Sequence, residues 1–275
     1  MTSSVHEAAV LAMRLCAWLA LLSAIFVPLE HWCGIHGQGA RPGEVRRDLA
    51  YYFLSSLAPG ILLAAPTALL AIAGRHMMPE AWLAAMRGLP GAARMGLAFL
   101  VAETGFYWGH RLSHMLPWLW RFHSLHHSSE RMQFLANTRT HPVDMLVTRL
   151  FGLAPLYVLG LAGPTAAGSS APALLLVLGT FWGFFIHANL RWRLGPLEWL
   201  VTTPAFHHWH HSRHEHINRN YAANLPFLDR VFGTHYLPRH WPGDYGTDTP
   251  HADTLAGQLL DPLGPKPGRP DEAHS

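Results

Sequence analysis

The stretch Tyr51–Ala73, YYFLSSLAPGILLAAPTALLAIA, runs for 23 residues without a charged side chain. A helix needs about 20 apolar residues to cross the hydrocarbon layer of a membrane, so this stretch is long enough to span it. Pro59 and Pro66 lie inside it, and membrane-spanning helices tolerate proline better than helices in water do. The stretch therefore predicts a membrane-spanning helix and an integral membrane protein.

Further apolar segments lie on both sides of this stretch. The N-terminal one is interrupted by Arg14, and residues 1–7 contain no Lys or Arg. A cleaved signal peptide would begin with basic residues, so we favour a membrane-spanning helix here. With the stretch at 51–73, the predicted crossings are residues 8–29, about 83–108, 146–162 and 171–186. The segment at 83–108 is the weaker span because it carries Arg87, Arg94 and Glu103, so the number of crossings is four or five. Either number predicts an all-α fold, an integral membrane helical bundle.

The composition fits this class and excludes others. Half of the residues are apolar, 13% are charged and the mean hydropathy is +0.11, values typical of membrane proteins. Lys266 is the only lysine, and no basic block is present of the kind that binds a phosphate backbone, so we expect no nucleic acid partner. Cys16 and Cys33 are too few for a disulfide framework or a zinc–thiolate site. Any bound metal would therefore be held by nitrogen.

Three motifs concentrate the histidines at helical spacings. They are His110-Arg-Leu-Ser-His114, His123-Ser-Leu-His126-His127 and His207-His-Trp-His210-His211. Positions i, i+3 and i+4 share one face of a helix, so we expect each motif to present its rings in one direction. Neutral imidazole is a ligand for iron, zinc and copper. One metal ion rarely takes more than four protein side chains, so eight converging histidines predict two metal ions.

The order of motifs and apolar segments predicts that all three motifs meet. The first two motifs follow the third segment, and the last motif follows the fifth. The fourth and fifth segments, joined by a turn at Gly163–Ser170, form a hairpin that returns to the same side of the membrane. Arginines flank the motifs, and arginine-rich loops face the cytoplasm. We therefore predict that the helical bundle carries a metal site on the cytoplasmic side of the inner (cytoplasmic) membrane.

Longer stretches around the motifs resemble the fatty acid hydroxylase / sterol desaturase superfamily. The residues that carry the resemblance are Glu103–His114, Trp120–Ser128, Thr203–Ser212 and the closing motif Asn220–Thr234. It covers about residues 95–236. We therefore divide the chain into an N-terminal transmembrane region at 1–94, a hydroxylase-like domain at 95–236, and a flexible C-terminal tail at 237–275.

The resemblance implies a reaction class. Members of this superfamily are integral membrane, non-haem diiron enzymes that use O2 to hydroxylate or desaturate lipids. It therefore implies two iron ions, O2 as co-substrate and a membrane lipid as substrate, whether fatty acyl, sterol or related. No flavin, haem or ferredoxin signature is visible, so a separate electron-donor protein is implied, either cytochrome b5-like or a ferredoxin with its reductase. Glu103, Ala222 and Leu228 depart from the family pattern of Asp, Gly and Trp, and they leave the substrate open.

A ninth histidine joins the predicted ligands. His187 ends the fifth segment at the membrane surface, where an ionisable residue is functional by default. The alternative is a helix-end histidine that makes only hydrogen bonds. His208 is left out because its ring points about 100° away from that of His207 on a helix. The predicted ligands are His110, His114, His123, His126, His127, His187, His207, His210 and His211.

Residues behind the ligands are predicted as hydrogen-bond partners. Glu103 lies two helical turns before His110, so it is placed to accept from a ligand's ring N–H, with an ion pair to an arginine such as Arg111 as the alternative. His141 is a second candidate for such a partner. For Asp144 and Asp229 we favour ion pairing over this role.

A different class, the histidine-rich membrane metal transporter or carrier, uses the same side chains. Transporters place ionisable ligands near the middle of the bilayer, inside the spans. Here the motifs follow the spans and lie in arginine-rich segments. The sequence therefore favours the oxygenase.

Overall fold

The computed structural model describes residues 2–35, 41–162 and 171–264. Their α-helices are α1 (Thr2–Cys33), α2 (Pro42–Leu62), α3 (Ala64–Met77), α4 (Glu80–Gly88), α5 (Gly91–Met115), α6 (Pro117–His123), α7 (Pro142–Val158), α8 (Ala171–His187), α9 (Pro204–His210), α10 (Phe227–Val231) and α11 (Leu255–Leu260). Short 3-10 helices cover His126–Ser128, Phe134–Thr138, Gly195–Trp199 and Asp261–Leu263. These described ranges contain no strand, so the predicted all-α class is confirmed.

Two helical stretches are long and apolar enough to cross a membrane. They are Val5–Cys33 in α1 and Pro42–Met77, which combines α2 and α3. The predicted third segment is interrupted, because Pro90 cannot continue a helix and Leu89 before it takes an extended conformation. That segment is divided into α4 and α5. The predicted turn at Gly163–Ser170 lies outside the described residues, and the count of four or five crossings stays a prediction.

Glycines bring α5 and α7 into close contact. A Cβ at Gly105 would collide with the backbone oxygen of Phe151, and one at Gly109 would lie 2.7 Å from the Phe151 Cβ. Gly152 on α7 faces the Ala102 carbonyl in return. Small residues four apart let two membrane helices approach this closely. The contact fixes α5, which carries the first histidine motif, against α7, which carries Asp144.

An apolar core joins the N-terminal helices to the end of α8. Leu22 and Phe26 of α1 and Tyr52 of α2 pack with Phe134 and Phe184, and all five are buried. The Phe26 and Phe134 rings are stacked with their centroids 5.5 Å apart. The N-terminal helices are therefore packed against the elements that follow the second motif and precede the third.

The C-terminal segment up to Gly264 places buried side chains against the helices, although the sequence predicts a flexible tail from residue 237. Tyr245 and Gln258 are buried, and the Tyr51 hydroxyl donates to the Gln258 side chain at 3.0 Å. Composition rich in Pro and Gly misled the prediction, because a few specific side chains suffice to fix such a segment. Residues 265–275 lie outside the described part of the chain.

We predict that Gly105→Ala destabilises the fold. The added methyl group overpacks the α5–α7 contact, which costs about 1–3 kcal/mol. Gly96→Ala is the matched control, because it lies on the same helix and a Cβ added there would meet no atom within 4 Å. The melting temperature in detergent should fall for Gly105→Ala and stay level or rise for Gly96→Ala. Equal melting temperatures for the two variants would contradict the close contact.

Candidate metal centre

The nine predicted histidines form two clusters of ring nitrogens. In each cluster the ligand atoms lie within 4.8 Å of one another. The first cluster consists of His110, His114, His123, His127 and His210. The second cluster consists of His126, His187, His207 and His211. The clusters adjoin, since the His127 and His211 rings stack with centroids 4.4 Å apart.

Two of the motifs are divided between the clusters. His123 and His127 belong to the first cluster and His126 to the second. In the third motif, His210 belongs to the first cluster, whereas the first and last histidines of the motif belong to the second. In the third motif, residues at i+3 and i+4 differ by about 100° around the helix, which is enough to reach two neighbouring centres. The second motif is divided because α6 ends at His123 and a 3-10 helix begins at His126. The expectation that each motif presents its rings in one direction was therefore too coarse.

The spacing of the Nε2 atoms fits a shared metal ion. In the second cluster, His187 Nε2 lies 3.0 Å from His207 Nε2 and 3.2 Å from His126 Nε2. In the first, His123 Nε2 lies 3.0 Å from His114 Nε2. Two nitrogens bound at right angles to one ion at about 2.1 Å lie about 3.0 Å apart. Both clusters have the dimensions of such a ligand set.

The hydrogen bonds show which ring nitrogens carry lone pairs. Nδ1 of His126 donates to the Arg139 carbonyl at 3.2 Å, and Nδ1 of His187 donates to the Gly183 carbonyl at 2.7 Å. In a neutral ring the other nitrogen is then unprotonated, so these two Nε2 atoms face each other as acceptors. His210 Nε2 is likewise buried without a hydrogen-bond partner in the described structure. A cation between these atoms would satisfy them, so the donor set fits a metal.

Burial keeps the rings in the neutral state that binds metal. Burial first, and then the neighbouring imidazoles, lower the pKa of His127, His207 and His211 well below the ordinary histidine value. These three rings are therefore uncharged near pH 7 and retain a lone pair.

Partners behind the first cluster orient its rings. Asp144 Oδ2 accepts from His123 Nδ1 at 3.0 Å, an arrangement that fixes the tautomer and raises the basicity of the ligand. His110 Nδ1 donates to the Tyr221 carbonyl at 2.7 Å. Asp144 therefore orients a ligand ring, whereas the sequence favoured an ion pair with an arginine for this residue. Asp229 accepts from the backbone amides of Tyr221 and Ala222 at 2.8 and 2.9 Å, and so holds the loop that supplies this carbonyl.

Glu103 supports the site through the closing loop instead of touching a cluster histidine. The Glu103 carboxylate accepts from the backbone N–H of Asn224 at 3.0 Å and from the Asn224 side-chain amide at 2.7 Å. Arg111, the alternative partner, donates to the Tyr107 hydroxyl at 3.2 Å. The predicted contact with a ligand ring was wrong because α5 turns Glu103 toward residues 221–225, which the spacing alone cannot show.

His141 and His208 both lie outside the clusters. His141 Nδ1 accepts from the Val143 N–H and caps α7, while Nε2 donates to the Leu259 carbonyl. Both nitrogens are engaged, so the predicted contact of His141 with a ligand is not found. His208, which the sequence left out, accepts from the Tyr245 hydroxyl and donates to the Ala188 carbonyl.

Sequence reasoning missed the acceptors that are backbone carbonyls. The carbonyls of Arg139, Gly183, Arg219 and Tyr221 each accept from a cluster histidine. A carbonyl has no residue signature, so only position in the fold reveals it. The Gly183 carbonyl could have been predicted as an acceptor for His187, because Gly183 lies four residues earlier on the same helix.

A helical membrane protein with two adjoining histidine clusters is the class that fold and site define. A family model described as fatty acid hydroxylase matches residues 95–234, half of the chain. The chain belongs to the fatty acid hydroxylase family, which confirms the resemblance of the motifs.

Relatives with known roles act on lipids. Ornithine lipid hydroxylase OlsE of Rhizobium tropici is 34% identical over 238 residues, covering 82% of this chain and 68% of that protein. Alkylglycerol monooxygenase of Xenopus tropicalis is 33% identical over 155 residues. The match covers 56% of this chain and 33% of that protein. Methylsterol monooxygenase 2-2 of Arabidopsis thaliana is 28% identical over 52% of each protein. No solved structure gives a significant match.

We predict that His210→Ala and His208→Ala separate a ligand from a structural histidine. His210→Ala removes a buried Nε2 of the first cluster, so metal content should fall by about one ion per chain. His208→Ala removes two hydrogen bonds outside the clusters, so metal should be retained while stability falls by about 1–3 kcal/mol. Elemental analysis and thermal unfolding measure the two effects. Equal metal loss in both variants would show that the cluster assignment is wrong.

Proposed function

We propose that this protein is a membrane-bound diiron oxygenase that hydroxylates a lipid, with the nine clustered histidines as ligands. One observation carries the proposal: two adjoining, nitrogen-only clusters in a chain of this family. Two such clusters match a pair of redox metal ions, which share the oxidising equivalents of O2. Family membership supports this class over the metal transporter.

The residues around the clusters supply position and exclude water. Bound iron would supply the activation of O2 and the removal of hydrogen from an unactivated C–H bond, which acids, bases and nucleophiles do not attack. The Asp144 carboxylate and the four backbone carbonyls fix five of the nine rings, so that the Nε2 of each of these five stays directed at its centre. Tyr221 is buried against His110 of the first cluster, and the buried Tyr107 packs on Tyr221, so the two rings keep bulk water from this side of the cluster.

The electron balance requires a partner. Hydroxylation consumes the lipid, O2, two electrons and two protons, and it yields the hydroxylated lipid and water. The histidines do not themselves supply electrons, so each turnover needs an external donor. We propose a separate protein for this role, either cytochrome b5-like or a ferredoxin with its reductase.

The relatives narrow the substrate to a class. Each of the three named above acts on a lipid or sterol, and each name describes insertion of oxygen. Of these three relatives, ornithine lipid hydroxylase OlsE matches the largest share of this chain, 82%, so an ornithine lipid or a similar polar membrane lipid is the first substrate to test. Hydroxylation is favoured over desaturation on the same ground.

We predict iron in the purified protein and one added oxygen in a cellular lipid. Protein expressed with ample iron and purified in detergent should hold about two iron ions per chain. Lipids from cells with and without the protein should differ by a species heavier by one oxygen atom. A species lighter by two hydrogens would indicate desaturation. Less than about one transition-metal ion per chain would contradict the proposal, although zinc in place of iron would not, because nitrogen sites favour zinc over ferrous iron.

We also propose a location for the site: the protein lies in the inner membrane, and the two clusters face the cytoplasm. The support for this location is the excess of arginine in the segments that flank the motifs. Reporter domains fused after residue 130 and after residue 240 should both report the cytoplasm. Opposite sides for the two fusions would exclude a single site built from all three motifs.

A further inference from the structure

Two carboxylates of the N-terminal helices, Glu30 of α1 and Asp48 of α2, hydrogen-bond to the segments that lie behind the second cluster. Asp48 is fully buried. It accepts from Arg139 Nε at 2.6 Å and from the Gln133 side-chain amide at 2.7 Å. Its backbone carbonyl accepts from the Thr138 hydroxyl at 3.0 Å. Asp48 therefore holds both ends of the 3-10 helix Phe134–Thr138.

This 3-10 helix leads directly to a ligand of the second cluster. Arg139 follows its last residue, and the Arg139 carbonyl accepts from His126 Nδ1 at 3.2 Å. A carbonyl that accepts from Nδ1 fixes both the tautomer and the direction of the ring. The Asp48–Arg139 pair thus sets the direction in which His126 presents Nε2.

Glu30 holds the opposing ligand of the same cluster. Its Oε1 accepts from the backbone N–H of Phe134 at 2.7 Å and from that of Asn189 at 3.0 Å. Asn189 lies two residues after His187, whose Nε2 faces His126 Nε2 at 3.2 Å. One carboxylate oxygen therefore connects the segment behind His126 to the segment behind His187.

The first cluster is supported by other residues. His123 is held by Asp144, and His110 by the loop that Glu103 and Asp229 fix. These residues lie within the stretch that matches the family model, 95–234, whereas Glu30 and Asp48 lie before it. The two clusters therefore depend on different parts of the chain.

We propose that Glu30 and Asp48 are positioning residues that set the metal affinity of the second cluster and leave the first unaffected. The inference rests on the proposed function in that both clusters bind metal. Partners that are hydrogen-bonded to a ligand typically contribute 10–100-fold to metal affinity. Asp48 and Glu30 fix the segments that supply such contacts behind His126 and His187, so their loss should empty the second centre at limiting metal concentration.

Glu30→Ala is the direct test, because it removes the shared acceptor oxygen. Glu30→Gln is the conservative control, because its Oε1 can still accept from both amides. Full-length protein in detergent is titrated with ferrous iron under anaerobic conditions, and the ions bound per chain are counted. We expect about two ions for the wild type and Glu30→Gln, and about one for Glu30→Ala at the same metal concentration, with a 10–100-fold weaker second site.

Pairing with ligand variants identifies which centre is lost. In a His207→Ala background the second cluster is already impaired, so Glu30→Ala should cause no further metal loss. In a His114→Ala background the first cluster is impaired, so Glu30→Ala should remove the remaining ion. Asp144→Ala should give the reverse pattern. The double variant Asp48→Leu with Arg139→Met removes the acceptor and the donor of this contact together, so it leaves no buried charge unpaired, and it should behave as Glu30→Ala does.

The outcomes separate this inference from the proposed function. Two ions retained in Glu30→Ala, or equal loss from both backgrounds, would overturn the positioning role while leaving a wild type with two ions intact. A wild type that binds no metal would overturn both. If Glu30→Ala fails to fold, the Asp48/Arg139 double variant decides by the same count.

Discussion

Unprotonated imidazole nitrogens face one another across about 3 Å in the buried centre of this protein. His126 and His187 both donate through Nδ1 to carbonyls, so their Nε2 atoms meet as two acceptors 3.2 Å apart. Such an arrangement is repulsive without a cation and costly in a buried site. The fold must therefore hold the rings in place before metal arrives, and a bound cation converts the repulsion into ligation.

Close helix packing and buried polar contacts together hold the histidine rings in place. Gly105 and Gly109 let α5, which carries the first motif, approach α7, whose Asp144 accepts from His123. The closing loop, fixed by Asp229, presents the Tyr221 carbonyl to His110. Since α1 and α2 provide the corresponding contacts behind the second cluster, the helices long enough to anchor the protein in the membrane also shape its candidate metal site.

The members of the clusters were predictable from the sequence, because the spacing of histidines along a helix determines which rings lie close together. All nine predicted histidines lie in the two clusters, including His187, which has no motif of its own. The division of the second motif was not predictable, because it depends on α6 ending at His123 and a 3-10 helix beginning at His126. Glu103 and His141 were placed wrongly because their partners, Asn224 and Leu259, are distant in sequence and carry no signature. The packed segment at 237–264 was missed for the same reason.

X-ray absorption at the iron edge distinguishes centres ligated by the imidazole nitrogens of these nine histidines from centres with other protein ligands. We expect the protein to contribute only nitrogen to the first shell of each iron, with the outer-shell scattering of imidazole rings. A bridging carboxylate from the protein, or sulfur in the first shell, would contradict this expectation.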